Sequence, residues 1–180
     1  MTKATPARSL ALEVLLAVEK EKAYAGLVLQ KATLPERELR LATEVADGTL
    51  REQSLLDFWL ERGTGKSVEK LTAPVRCNLR LALYQCAFLA SIPNRAAVDQ
   101  AVELARKFSP KAVKFVNWAL RAILRQKEPF ILPPEDNSLS YLAIRFSHPT
   151  WLVKLWLEQL GPEVTRGLLE ANQNQAPLTI

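Results

Sequence analysis

The sequence predicts an all-α protein, and three observations support this fold class. Apolar residues recur at helical spacing, as Leu10, Val14 and Val18 do near the start of the chain. Proline, glycine and asparagine separate such stretches from one another. The stretch 81–89 is apolar on almost every side, which is typical of a central helix that others surround. We therefore predict a bundle of about seven helices, followed by a helical linker region.

The first half of the chain contains four predicted helices. They cover about 7–20, 25–33, 35–60 and 74–90. Pro35 and the acidic residues after it favour a helix start. Gly48 lies inside the third helix and indicates close packing against another helix. Residues 62–66 are predicted to form a turn, and Ser67 to begin a short helix.

The second half begins with two predicted helices that polar residues should cap. Asn94 is expected to cap a helix that runs to about Phe108, and Ser109-Pro110 to cap the next one. Prolines and acids then indicate a linker. Three short helices and the opening of a β-strand follow. The linker covers 128–137, the helices cover 139–146, 149–160 and 162–172, and the strand covers 176–180. We expect the strand to begin further structure, in a longer protein.

The stretch Lys111–Arg125 carries two stripes at once. At 100° per residue its cations and one indole fall within about 80° of arc. This set is Lys111, Lys114, Trp118, Arg121 and Arg125. The opposite side is apolar. Cations for phosphates and an aromatic ring for stacking suit a polyanion with flat bases. The alternative is a solvated helix face with Trp118 packed against a neighbouring helix.

The charge distribution favours the nucleic-acid interpretation. The chain has a net charge of +5. Counted along the sequence, residues 62–127 carry +10, whereas residues 1–61 carry −2 and residues 128–180 carry −3. Such segregated charge produces a directional field that attracts anions. We therefore predict a nucleic-acid-binding face in the middle third of the chain.

The sequence offers no catalytic residue, no cofactor site and no metal site. Its lone histidine, His148, cannot complete a zinc site or a Ser–His–Asp triad. Cys77 and Cys86 would lie on opposite faces of one helix, as core thiols in a reducing cytoplasm. The stretch 63–67 lacks the upstream glycine of a phosphate loop, but its lysine is available to a backbone phosphate. Asp99 and its helical neighbours are expected to form ion pairs.

Membrane insertion and secretion are not indicated either. The sequence has no run of 18 uncharged apolar residues, and its start lacks a secretory core. We expect a cytoplasmic protein that does not insert into a membrane.

Several motifs taken together resemble a known family. RLATEVADGTLRE (40–52), LRLALYQCAFLASIPNRAAVDQAVELARKF (79–108) and KFVNWALRAILR (114–125) are similar to the helical RNA-binding domain of NusB. The same domain stands at the N-terminus of bacterial 16S rRNA cytosine-5 methyltransferases of the RsmB, Sun or Fmu family. RFSHPTWLVKLWLEQLG (145–161) and LLEANQNQAPLTI (168–180) resemble the segment that joins it to the methyltransferase body.

The resemblance implies three regions and a function. The regions are a NusB-like RNA-binding domain (1–127), a proline-rich linker (128–137) and the start of the methyltransferase region (138–180). The family's catalytic half needs a glycine-rich loop for S-adenosylmethionine and two cysteines, and Cys77 and Cys86 do not match these. We therefore expect these 180 residues to bind ribosomal RNA and not to catalyse methylation, with S-adenosylmethionine bound elsewhere in the parent chain.

The resemblance and the basic stripe together nominate RNA-binding residues. NusB-type domains contact RNA through a basic N-terminal arm and first helix, here Lys3 and Arg8, and through the helix that matches Phe115, Val116 and Asn117. Phe115 could be core or a stacking platform. Position adds Arg76 and Arg80, for which the alternative is salt bridging to the acidic long helix. The predicted set is Lys3, Arg8, Arg76, Arg80, Lys111, Lys114, Phe115, Asn117, Trp118, Arg121 and Arg125.

Two other functions stay open at this stage. One is a NusB-type transcription antitermination factor, which would bind RNA together with a ribosomal-protein partner. The other is a helical protein-interaction domain whose basic face docks on an acidic partner.

Overall fold

The computed structural model describes residues 4–136 and 138–174. Over these residues it contains nine α-helices, two single-turn 3-10 helices and no β-strand. The α-helices are α1 (Pro6–Glu21), α2 (Ala25–Gln30), α3 (Glu36–Arg51), α4 (Gln53–Thr64), α5 (Ala73–Phe88), α6 (Asn94–Phe108), α7 (Val113–Leu124), α8 (Leu139–Arg145) and α9 (Thr150–Gln173). The 3-10 helices are Val68–Lys70 and Pro110–Ala112. The predicted all-α class is confirmed.

Helix α5 is the centre of the main core, as its apolar sequence predicts. It packs against α1, α3, α4, α6 and α7, and residues such as Leu79, Leu81 and Leu83 are fully buried. Gly48 on α3 allows a close approach of α3 to Tyr84 on α5. A Cβ atom placed there would lie 2.0 Å from Cζ of Tyr84, so the predicted close packing at Gly48 is confirmed.

The predicted helix over 35–60 is wrong, because two helices occupy it. The backbone of Glu52, with φ −96° and ψ 16°, interrupts the chain between α3 and α4. Helix α3 packs against α1 and α5, whereas α4 packs against α5, α7 and α8. Because the two segments pack against different helices, the helix breaks between them. No proline or glycine at this position predicts the break.

Three predicted boundaries also differ from the structure. Helix α4 continues through most of the predicted turn to Thr64, and Gly65 follows as its C-cap with a left-handed φ of 65°. Asn94 does not cap α6 but is its first residue, since Pro93 with φ −60° takes the cap position. Pro110 begins a 3-10 turn before α7, and no side chain caps either element. Lys111 consequently lies just outside the α-helix.

The C-terminal helices form a smaller core beside α4. Buried residues of α8 and α9, such as Leu142, Val153 and Leu169, pack together there. Gly161, with φ 76° and ψ 169°, breaks α9 into two helical parts. The three predicted helices after the linker are thus confirmed, whereas the predicted strand at 176–180 lies outside the described residues.

The proline-rich segment is irregular in the described positions 131–136, and it contacts the bundle. The rings of Trp59 and Phe130 lie 5.0 Å apart, and the Trp59 indole N–H donates to the Ile131 carbonyl at 2.8 Å. The division into three regions at 127 and 137 stays a prediction. Within 4–136 and 138–174, no helix is both long and apolar enough to cross a membrane.

Candidate nucleic-acid interface

Helix α7 has one buried and one exposed face. Its apolar side, including Val116, Leu120 and Ile123, is fully buried and holds the helix against α4, α5 and α6. The exposed residues are the ones that the stripe predicts. They form what we call the α7 basic face: Lys111, Lys114, Trp118, Arg121 and Arg125. Anchoring by the buried side fixes these side chains on one surface of the protein.

The cations of the α7 basic face are available to an external anion. In the described part of the chain none of the four forms an ion pair with a carboxylate. Arg121 donates from Nε to the Asn117 side-chain oxygen at 2.8 Å, and Arg125 donates from Nε to the Arg121 carbonyl at 3.1 Å. These hydrogen bonds orient the two guanidinium groups and leave their terminal N–H groups for phosphate oxygens.

An aromatic pair lies in the middle of this surface. The rings of Phe115 and Trp118 have centroids 5.7 Å apart. The Trp118 side chain is 44% exposed, so it is not tucked into a neighbouring helix. Phe115 is half-buried and packs against the main core. The pair therefore offers one solvent-facing indole supported by a more buried ring.

Lys66 joins this surface from the loop after α4. Its Nζ lies 5.1 Å from the Phe115 ring centroid and 6.0 Å from that of Trp118, which are cation–π distances. Helical periodicity along α7 could not find this residue. The signal was the lysine in the 63–67 segment, which the sequence makes available to a phosphate.

Arg76 and Arg80 lie elsewhere, in a mostly buried ionic cluster. Arg80 is bidentate with Asp57, with both N–H···O distances 2.7 Å, and it contacts Glu19 at 3.2 Å. Arg76 pairs with Glu19 and donates to the carbonyls of Val68 and Leu71. Both arginines therefore form salt bridges, as the alternative to RNA binding predicts. Their partners differ in part from the predicted ones, because Glu19 belongs to α1 and only Asp57 lies in the predicted long helix.

The same cluster joins α1, α4 and α5. Burial raises the pKa of Glu19, but hydrogen bonds from Arg76 and Cys77 and the charges of the arginines outweigh it, so the pKa lies below its ordinary value. The guanidinium groups of Arg76 and Arg80 are bonded to protein groups. Their geometry suits a link between helices better than a phosphate contact.

The predicted contacts of the first helix are also not on this surface. Arg8 is buried; its Nε donates to the Gln85 side-chain oxygen at 2.6 Å and its Nη1 to Thr5 at 3.1 Å. Burial lowers the pKa of the Arg8 guanidinium, partly offset by Glu38. Lys3 lies outside the described residues. The structure thus brings together the predicted residues of 111–125, and separates them from Arg8 and from the Arg76–Arg80 pair.

The segment 63–67 does not form the glycine-rich cradle that S-adenosylmethionine would need. A nucleotide cradle needs a glycine loop that precedes a helix, so that backbone N–H groups face the ligand. Gly63 instead lies within α4, where a Cβ atom would meet the Ile123 side chain at 2.3 Å, and Gly65 ends that helix. The segment 63–67 is therefore a packed helix end followed by a loop.

Comparisons with known proteins identify the family of this chain. The model of the NusB family matches residues 5–125. The probable ribosomal RNA small subunit methyltransferase B of Bacillus subtilis (strain 168) is 40% identical over 167 residues, which are 89% of this chain and 37% of that protein. The transcription antitermination protein NusB of Desulfitobacterium hafniense (strain DSM 10664 / DCB-2) is 31% identical over 126 residues, which are 66% of this chain and 85% of that protein.

A solved structure shares the fold. The crystal structure of antitermination factors NusB and NusE in complex with dsRNA contains a chain that matches with a TM-score of 0.58 and 26% identity, over 64% of this chain and 91% of that chain. The present chain spans well under half the length of the methyltransferase relative. The family match covers about two thirds of the sequence, and with it the resemblance predicted from the motifs is confirmed: the chain belongs to the NusB family.

Proposed function

We propose that this chain binds RNA through the α7 basic face, as the RNA-binding part of a 16S rRNA cytosine-5 methyltransferase. The observation that carries the proposal is the α7 basic face itself. Its four cations form no ion pair within the described residues, and they flank an exposed indole. Phosphate contacts supply most of the affinity in such complexes, and an exposed aromatic ring adds base stacking.

The extent of the similarity favours a methyltransferase parent over an antitermination factor. The methyltransferase relative matches 89% of this chain, whereas the antitermination protein matches 66%. The additional match requires residues beyond the basic helix. Antitermination, with RNA and a ribosomal-protein partner, is the second candidate, because the antitermination protein matches over most of its own length.

In this proposal the described residues bind and orient ribosomal RNA in the cytoplasm. S-adenosylmethionine supplies the methyl group in the parent enzyme, and residues outside the described set would hold it. The role of α7 is positional: its rigid packing on α4, α5 and α6 fixes the RNA-binding groups relative to the rest of the protein.

A salt-dependent binding experiment tests the proposal. Arg121→Ala is expected to weaken binding of a fluorescein-labelled 16S rRNA fragment and to reduce the slope of log affinity against log salt by about one. Lys154→Ala is the matched control, because Lys154 is an exposed cation on α9, and it should leave the slope unchanged.

Three outcomes of this experiment count against the proposal. Affinity that stays flat between about 50 and 200 mM salt would exclude a phosphate-dominated interface. If Arg121→Ala and Lys154→Ala reduce the salt slope equally, α7 has no special role in RNA binding. Tight binding of an acidic protein, with no measurable binding of RNA, would favour the protein-interaction alternative.

A further inference from the structure

A cavity of about 510 Å³ lies between the start of α6 and the end of α7. Three arginines line it, together with a single carboxylate, one amide side chain and two apolar side chains. These residues are Arg95, Arg121, Arg125, Asp99, Asn94, Val98 and Leu124. The volume lies in the range of about 300–1,000 Å³ that small-molecule sites occupy. Arg121 and Arg125 also belong to the α7 basic face, whereas Arg95 lies on α6 and does not.

The charge of the cavity suits a phosphate group. Its three guanidinium groups face one carboxylate, so its lining is net positive. The Arg95 side chain is 93% exposed, and its Nε lies 3.9 Å from Asp99 at the outer limit of an ion pair. Such an exposed and long contact holds Arg95 weakly. Arg95 is therefore free to reorient toward an incoming anion.

The apolar floor of the cavity suits the flat face of a ring. Val98 is 5% exposed and belongs to the main core, and Leu124 is half-buried and packs against the same core. A nucleobase placed against these side chains would cover mainly apolar area of Leu124, because Val98 is already almost fully buried, and the arginines would hold its phosphate. A base inside a duplex is stacked and paired, so it would have to leave the stack to reach the floor.

We propose that this cavity binds one unpaired nucleotide of the RNA, with its base on Val98 and Leu124 and its phosphate held by Arg95, Arg121 and Arg125. The inference rests on the proposed RNA-binding function and adds a selection rule to it. The α7 basic face binds phosphates of any RNA, whereas the cavity favours RNA that presents an unpaired nucleotide.

The first test uses cytidine 5′-monophosphate as the probe. In methyl NMR spectra the nucleotide should shift the signals of Val98 and Leu124, and cytidine or inorganic phosphate alone should shift them far less at the same concentration. Equal shifts with phosphate would mean that the cavity selects anions without reading a base, and would overturn the proposal. Absence of any shift would also overturn it.

Two neighbouring substitutions should act in opposite directions. Arg95→Gln removes a charge-assisted phosphate contact and is expected to weaken binding of the nucleotide and of a single-stranded RNA about tenfold. Asp99→Asn removes the carboxylate and releases Arg95, so affinity should rise about threefold. Arg106→Gln is the control on the same helix, because Arg106 pairs with Glu103 and does not line the cavity.

A comparison of RNA forms separates this proposal from the proposed function. Arg95→Gln should weaken a single-stranded RNA far more than the same sequence held in a blunt duplex. Equal weakening of both forms, with wild-type binding intact, would reject the nucleotide cavity and leave the α7 basic face standing. Failure of the wild-type protein to bind either form would reject the proposed function.

Discussion

The indole of Trp118 lies beside the ring of Phe115, with centroids 5.7 Å apart and ring planes 34° apart. Trp118 is the more exposed of the two, and Lys66 stands over both rings. This arrangement keeps one face of an indole at the surface of a basic helix. Base stacking on an aromatic side chain contributes about 1–3 kcal/mol per base.

We expect RNA to quench the fluorescence of the wild-type protein and Trp118→Phe to abolish most of that quenching. Trp151→Phe is the matched control, because Trp151 is 68% exposed but belongs to α9; it should preserve the effect. Since the Trp118 side chain is partly exposed, thermal unfolding should change little in the Phe variant. Quenching that persists in Trp118→Phe would place the stacking site elsewhere.

Arg80→Ala is expected to destabilise the fold rather than to weaken an RNA contact. The substitution leaves Asp57 without its bidentate partner and Glu19 with one arginine fewer, in a mostly buried cluster. Breaking a buried pair by removing one partner costs about 3–5 kcal/mol. Urea unfolding measures this cost. The RNA affinity of the folded fraction should stay near the wild-type value. A large loss of RNA affinity with no loss of stability would mean that Arg80 contacts RNA.

Both cysteines should react slowly in the native protein. Burial, reinforced by the hydrogen bond to Glu19, raises the pKa of Cys77 to about 12, and burial raises that of Cys86 to about 11. The reactive species is the thiolate, so alkylation by iodoacetamide at pH 8 should be slow in buffer and fast in urea. Native reactivity equal to that of a free thiol would contradict the burial of these groups.

The same shifts set a pH dependence of stability. The pKa values are higher in the folded state than the ordinary value of about 8.5, so above that pH the unfolded state loses protons that the folded state retains. This contribution to the free energy of unfolding is present below about pH 8.5 and declines as pH rises, toward about 11 for Cys86 and about 12 for Cys77. Cys86→Ser should reduce the alkaline decline measured by urea unfolding.

Gly48→Ala should test the close approach of α3 and α5. A Cβ atom at this position would lie 2.0 Å from Cζ and 2.1 Å from Oη of Tyr84, so the helices must separate or the ring must move. Overpacking of this kind costs about 1–3 kcal/mol. Gly26→Ala is the control, because no atom outside its own local backbone lies within 4 Å of its Cβ position, and thermal unfolding should show it as neutral or stabilising. Equal melting temperatures would mean that Tyr84 moves aside freely.

The sequence by itself determined the helical class, most helix positions and the two faces of α7. These features depend on the spacing of apolar residues and on proline and glycine, which act over a few positions along the chain. For the same reason the stripe from Lys114 to Arg125 is present as predicted. The ion pairs of Arg95 with Asp99 and of Arg106 with Glu103 follow from the same spacing.

The tertiary structure alone decided which cations are available. Arg76 and Arg121 are both basic residues on helices, but Arg76 meets Glu19 from α1, 57 positions away in sequence, whereas Arg121 meets no carboxylate among the described residues. Likewise, the break at Glu52 and the approach of Lys66 to Trp118 depend on how separate helices pack. Local periodicity carries no information about such contacts, because the partners are supplied by segments distant in the chain.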